Sequence, residues 1–128
     1  MEDNKGDVFL IREALAAADV DAEVHVVHNG NDATRFFDAA DHDETAPCPN
    51  LVLLDLNLPK KSGDQVLQHL RKSVRCRNAK VLIVTSSDLA VERRALTALG
   101  ATAYFRKPSE YAQFLKLGPV VKALLGPQ

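Results

Sequence analysis

The chain has 128 residues, a formal net charge of −1, and 46% apolar against 26% charged side chains. These values suit one soluble globular domain and exclude disorder, collagen-like repeats and, with no apolar run near bilayer length, a membrane span. The halves are oppositely charged, with 13 acids against 3 bases in residues 1–55 and 4 against 13 in residues 56–128. Solvated helix faces of opposite sign account for this; a docking surface for a charged partner is the sharper reading. The basic stretch holding Lys60, Lys61, Arg71, Lys72, Arg75, Arg77 and Lys80 lacks the interleaved aromatics and reading helix of a nucleic-acid site, so no nucleic-acid partner is expected.

Val8, Ile11, Leu15 and Ala18 recur at helical spacing behind Asp7, a candidate cap, which predicts a helix over residues 7–18. Ala22, Val24 and Val26 alternate with Glu23 and His25 as in a strand that ends at Asn29-Gly30; Ala33, Phe36, Phe37 and Ala40 then make the stripe of a second helix. A Pro-containing loop over residues 41–50 leads to Leu51-Val52-Leu53-Leu54, which has no polar face and reads as a strand covered on both sides. Gly63 precedes a third helix carrying Val66, Leu67, Leu70 and Val74. Val81-Leu82-Ile83-Val84 is a second all-apolar strand, and a fourth helix with Leu89, Ala95, Leu96 and Leu99 ends at Gly100 as its C-cap. Thr102 to Phe105 makes a last strand; Ser109 is placed to cap a fifth helix toward Leu125, kinked or restarted at Gly118-Pro119.

Four strands alternating with five helices imply an α/β fold, a doubly wound parallel sheet with helices on both faces. Cys48 and Cys76 lie far apart without CxxC spacing, and no secretory signal precedes the first charges, so reduced thiols and a cytoplasmic location are expected. His25 and His28 fall on opposite faces of the predicted strand and cannot share a metal; His42 and His69 read as surface residues.

In open α/β sheets, ligands bind beyond the carboxyl ends of the strands. Asp55 ends one apolar run, Thr85 the next, and Lys107 follows the last, which puts a carboxylate, a hydroxyl and an ammonium on one sheet edge. Glu2-Asp3 precedes the first helix, where the end of a preceding strand would bring both acids to that edge. Three carboxylates there would repel one another unless a cation intervened, and Mg²⁺, a hard ion that takes oxygen ligands and keeps waters, suits them together with the carbonyl of Asn57.

These residues resemble the receiver domains of two-component response regulators. The likeness rests on Glu2-Asp3-Asn4, Asp55-Leu56-Asn57-Leu58-Pro59 followed by Gly63, Val84-Thr85-Ser86, and Tyr104-Phe105-Arg106-Lys107-Pro108, in family order across nearly the whole chain. The segment from Asp55 to Gly63 is most similar to single-domain regulators that partner phytochrome-type and related hybrid sensor kinases. The resemblance implies a flavodoxin-like fold of strand order 2-1-3-4-5, one receiver over residues 1–128, and no output domain. It implies phosphorylation of Asp55 by a histidine kinase or a small acyl phosphate, with Mg²⁺ held by Glu2, Asp3, Asp55 and Asn57. Lys107 would pair with the phosphoryl group and Thr85 would bond to it; Ser86 would leave an access path, and Asn57 and Ser87 would tune hydrolysis. Thr85 and Tyr104 would form the switch, Lys107-Pro108 would be cis, and Leu89, Val91 and Tyr111 would lie on the output face.

The family's hydrophobic first strand, which precedes the acidic pair and lies centrally, is missing before Met1. The favoured expectation is a start read too late, with a GTG valine codon taken as the initiator; a homodimer filling the gap and a rearranged sheet with a mobile acid pair are the others. The competing functions are a receiver-like dimeric interaction module that cannot be phosphorylated, and a haloacid-dehalogenase-type phosphatase. The phosphatase needs a second Asp two residues after the nucleophile, where Asn57 stands.

Overall fold

The computed structural model describes residues 1–2, 4–56, 63–86 and 93–126. Along the chain these form α1 (Lys5–Ala17), α2 (Gly30–His42), β1 (Leu51–Leu54), α3 (Gly63–Lys72), β2 (Lys80–Thr85), α4 (Arg93–Ala98), β3 (Ala103–Arg106), α5 (Tyr111–Phe114) and α6 (Leu117–Leu125). The strands make a parallel sheet of order β1-β2-β3, with Leu51 opposite Lys80 and Leu82 opposite Ala103. The apolar runs lie in the sheet because alternate side chains can be buried on both faces. Val52, Leu54, Val81 and Ile83 pack with Phe37 of α2, Val66, Leu67 and Leu70 of α3 and Leu96 of α4. Leu82 and Val84 face the other way, onto Ala14 and Leu15 of α1, Phe114 of α5 and Leu117 and Val121 of α6.

Several expectations are corrected. Residues 21–28 run beside the sheet but form no strand. Their alternating pattern lacks a neighbour to build a ladder with, and two bonds, Glu2 N–H to the Val27 carbonyl at 3.0 Å and His28 Nδ1 to the Glu2 carbonyl at 3.2 Å, tie them to the chain start. The expected strand over residues 22–26 is therefore absent, and with it the opposed-face placement of His25 and His28. Asp7 is not the cap of α1: Asn4 Oδ1 accepts from Asp7 N–H at 3.1 Å, which puts Asp7 in the first turn. Ser109 does not cap the C-terminal helix either, since α5 begins after Glu110 without a side-chain cap. The chain breaks at residues 115–116 and restarts as α6 at Leu117, which places Pro119 in a first turn where its missing N–H costs nothing.

Cys48 and Cys76 are not free thiols but a disulfide, with Cα atoms 5.4 Å apart. The loop after α2 folds onto the turn after α3, where Arg75 Nη1 donates to the carbonyls of Ala40, Asp43 and Ala46, and Asp41 accepts from Ser73 Oγ and Arg75 N–H. That apposition brings the two sulfurs together across 28 residues of sequence. Gly100 has the positive φ of +96° expected of the residue that closes α4. Part of the basic stretch is tied to the fold: half-buried Arg71 donates to the carbonyls of Arg77, Ala79 and Gly100, and exposed Lys80 reaches Leu124 O with its Nζ. Among the described residues, no helix is long and apolar enough to cross a membrane.

Candidate functional site

The carboxyl edge of the sheet is built by three strand ends. Asp55 follows β1, and its backbone N–H donates to Met1 O at 3.2 Å. The Met1 ammonium donates to Leu53 O at 2.7 Å, so the first two residues lie between β1 and the 21–28 segment like the end of a strand. Glu2 is thereby carried to the edge, where it is 3% exposed beside the 7% exposed Asp55. Thr85 closes β2 fully buried, and its carbonyl accepts from Lys107 N–H at 2.8 Å. That bond holds the residue after β3 extended, so that its side chain crosses the edge.

Lys107 is the centre of the cluster. Its ammonium donates to Glu2 Oε2, to Asp7 Oδ2 at 2.8 Å and to Asp55 Oδ2 at 2.9 Å. Asp7 was missing from the sequence reading of the site. The signal is its place in the first turn of α1, five residues after Glu2, with the cap supplied by Asn4 instead. Burial alone would discharge Lys107, yet its bonds to Asp7, Glu2 and Asp55 outweigh that and hold its pKa well above the ordinary lysine value. Burial raises the Glu2 carboxyl above its usual range, against the opposing pull of Lys107 and of the Asn4 N–H. Burial also pushes the Met1 ammonium down to about 6, although Glu2 and Asp55 attract it.

The remaining expected residues fall as follows. Ser86 is exposed just past Thr85. Tyr104 is half-buried in β3, its hydroxyl hydrogen-bonded to Thr97 Oγ1 at 2.6 Å and to Arg93 O at 3.1 Å, with the Arg93 guanidinium 4.6 Å from the ring centre. Tyr111 is exposed and donates to Glu13 Oε2 at 3.2 Å. Asp3, Asn57, Ser87, Leu89 and Val91 lie outside the described residues. The expected cis Lys107–Pro108 bond is corrected: no described peptide bond is cis. Trans is the lower-energy form by about 0.5–1 kcal/mol, and the four-carbon stem of Lys107 delivers its ammonium without it.

Two of the four expected metal ligands, Glu2 and Asp55, are described. Among the described residues no three acidic, His or Cys side chains are disposed to hold a metal ion. The two carboxylates nevertheless converge on one cation, the Lys107 ammonium. Hard oxygens gathered around a single positive charge fit the donor chemistry of Mg²⁺.

Residues 1–117 match the family model for the response regulator receiver domain. The chain is 32% identical over 117 residues to the response regulator Rcp1 of Synechocystis, covering 91% of this chain and 80% of that one. The crystal structure of the Mn²⁺-bound form of Rcp1 superposes with a TM-score of 0.82 at 30% identity, over 94% of this chain and 87% of the other. The phosphorylated cyanobacterial phytochrome response regulator RcpA gives 0.79 at 31% identity, over 94% and 86%. The bacteriophytochrome response regulator RtBRR gives 0.77 at 34% identity, over 99% and 75%. Its neighbours share the flavodoxin-like receiver fold, of which this chain shows the parallel sheet, three described strands and flanking helices. On the family match, and with a strand-end carboxylate, hydroxyl and lysine gathered on one sheet edge, the chain belongs to the response regulator receiver domains of two-component signalling.

Proposed function

We propose that this receiver is a phosphoacceptor of a phosphorelay, with Asp55 as the residue modified. Receiver domains are signalling proteins rather than classical enzymes, and the reaction is one turnover on the protein itself. The observation that carries the reading is the 2.9 Å bond between Lys107 Nζ and Asp55 Oδ2 at the carboxyl edge of the sheet. A carboxylate is a weak nucleophile, so the barrier must fall through positioning and through neutralising phosphoryl charge.

An Asp55 oxygen attacks phosphorus, the bond from phosphorus to the donor's imidazole nitrogen or acyl oxygen breaks, and the donor leaves with the electron pair. Lys107, already within bonding distance of Asp55, pairs with a phosphoryl oxygen, and the Thr85 hydroxyl donates to another. The exposure of Ser86 supports its role as the access path. Glu2, Asp3, Asp55 and the Asn57 carbonyl would hold Mg²⁺, which supplies charge neutralisation at the phosphoryl oxygens when bound. Asn57 and Ser87, neither of them a strong general base, favour slow hydrolysis. Tyr104, two residues before the end of β3 and packed on α4, serves as the switch with Thr85, and its trigger is the phosphoryl bond to the Thr85 hydroxyl. Rcp1, RcpA and RtBRR support a phytochrome-type sensor histidine kinase as the cytoplasmic partner.

Intact mass after incubation with acetyl phosphate, with and without Mg²⁺, tests this. A single Mg²⁺-dependent phosphoryl adduct that Asp55→Asn abolishes is expected. No adduct on folded protein would leave a receiver that signals without phosphotransfer.

A further inference from the structure

The three carboxylates that meet the Lys107 ammonium come from different parts of the fold. Glu2 and Asp55 stand on the carboxyl edge of the sheet, whereas Asp7 belongs to α1 and lies 100 residues from Lys107 in sequence. An ammonium has three N–H donors, and one goes to each carboxylate. Pairing with a phosphoryl group on Asp55 therefore requires Lys107 to exchange bonds it already makes.

The proposed phosphoacceptor role, on which this inference rests, assigns Asp55 to the phosphoryl group and Glu2 to the metal. A buried carboxylate that loses its counter-charge needs another, and a metal ion would supply one to both. Asp7 has neither task. Nor does it cap α1, because Asn4 Oδ1 takes that place by accepting the Asp7 N–H at 3.1 Å. The backbone around Asp7 is held by the same residue, since Val8 N–H donates to Asn4 O at 3.0 Å. Its carboxylate thus stands on a capped helical turn, 24% exposed, and reaches Lys107 Nζ at 2.8 Å.

We propose that Asp7 is a positioning residue for phosphoryl transfer. It keeps the Lys107 ammonium beside Asp55 while the ammonium's other two donors turn from Glu2 and Asp55 to the phosphoryl oxygens. Lysine carries its charge on a flexible four-carbon stem, so an anchor outside the reacting groups fixes the ammonium before the donor arrives.

The test compares the parent with Asp7→Asn and Asp7→Ser, which remove the charge, and with Asp7→Glu, which returns it. Each neutral variant relieves an excess of three carboxylates over one ammonium, so folding is expected to survive. Phosphorylation is followed by intact mass against acetyl phosphate concentration at saturating Mg²⁺. The neutral variants are expected to lower the limiting rate by about 10- to 100-fold and to leave the half-saturating donor concentration within about twofold. In metal-free protein, nitrogen-edited spectra are expected to show the Lys107 ammonium protons exchanging with water at least about fivefold faster in both. Asp7→Glu is expected to recover most of both effects. Parent-like rates in the neutral variants, a loss confined to half-saturation, or unchanged ammonium exchange overturns the proposal. So does a faster rate, which would make Asp7 a brake on Lys107, or an Asp7→Glu chain as slow as Asp7→Asn. A parent that takes no phosphoryl group overturns the phosphoacceptor reading and the positioning role together; a parent adduct with indifferent Asp7 variants overturns the positioning role alone.

Discussion

Lys107 and Asp55 stand 52 residues apart in sequence and 2.9 Å apart in space, from Nζ to Oδ2. Neither is exposed: 8% of the Lys107 side chain and 9% of the Asp55 side chain reach solvent. The same ammonium also serves Glu2 and Asp7, so one lysine balances three carboxylates. That ratio governs how the domain responds to charge changes at the edge.

Lys107→Met should cost about 3–5 kcal/mol at neutral pH, because it leaves buried carboxylates without a counter-charge. Glu2, already raised by burial, then protonates more readily, so the variant should regain stability as pH falls. In the parent, Lys107 is raised above its unfolded value; its contribution is complete below about pH 10 and is lost only as pH rises through the folded pKa. Urea denaturation of both proteins at pH 5 and pH 7.5 checks this, with a gap that narrows at pH 5.

The Met1 amine titrates near 8 in an unfolded chain and at about 6 here. Between those values the unfolded chain binds more protons, so stability should rise with pH from 6 to 8, by up to about 3 kcal/mol. Acetylating the N-terminus should flatten that rise, and urea midpoints across the interval would show it.

Gly118 lies where α6 crosses α1. A Cβ there would stand 2.3 Å from Ala14 O and 2.7 Å from Ala18 Cβ, so backbone would have to move. Gly118→Ala should destabilise by about 1–3 kcal/mol, seen as a lower Tm, while the fraction of folded protein that accepts phosphate stays unchanged.

The Cys48–Cys76 disulfide should add about 2–4 kcal/mol to the oxidised protein. Thiol titration should find no reactive sulfur before reduction and two after it, with a lower Tm in reductant. Asp41, Ser73 and Arg75 tie the same two loops independently, so the reduced protein should remain folded. Two reactive thiols in unreduced protein would contradict the bond.

Arg71 Nη1 and Nη2 bond to three carbonyls, from Arg77, Ala79 and Gly100, and burial lowers the guanidinium pKa. Arg71→Lys, which keeps the charge but not the fork, should lose about 1–2 kcal/mol. Chemical denaturation would register this as a lower midpoint with an unchanged slope.

The site's principal residues were legible because each ends an apolar run: Asp55 after Leu51 to Leu54, Thr85 after Val81 to Val84, and Lys107 after Phe105. Position in a strand is a local property, and the parallel sheet converts it into proximity. Asp7 was not legible as a partner of Lys107, since Asp before a helix reads equally as a cap; the choice fell to Asn4 through the geometry of one N–H bond. The alternation of Ala22 to Val26 misleads, because a strand also needs a paired neighbour, and among the described residues 21–28 meet just the two-residue stub of Met1 and Glu2 on that side. The pairing of Cys48 with Cys76 depends on two loops meeting, which no sequence spacing encodes.

The resting position of Tyr104 sets a toll on the proposed switch. Leaving it means giving up hydrogen bonds to Thr97 and Arg93 and the guanidinium stacked on its ring. At about 1 kcal/mol for each net interaction, the unmodified protein favours that position by a hundredfold or so. Phosphorylation would then act by tilting a steep balance rather than by opening a new state. By reciprocity, a target that engages the inward ring would bind the phosphorylated protein more tightly by the factor by which phosphorylation favours that ring position.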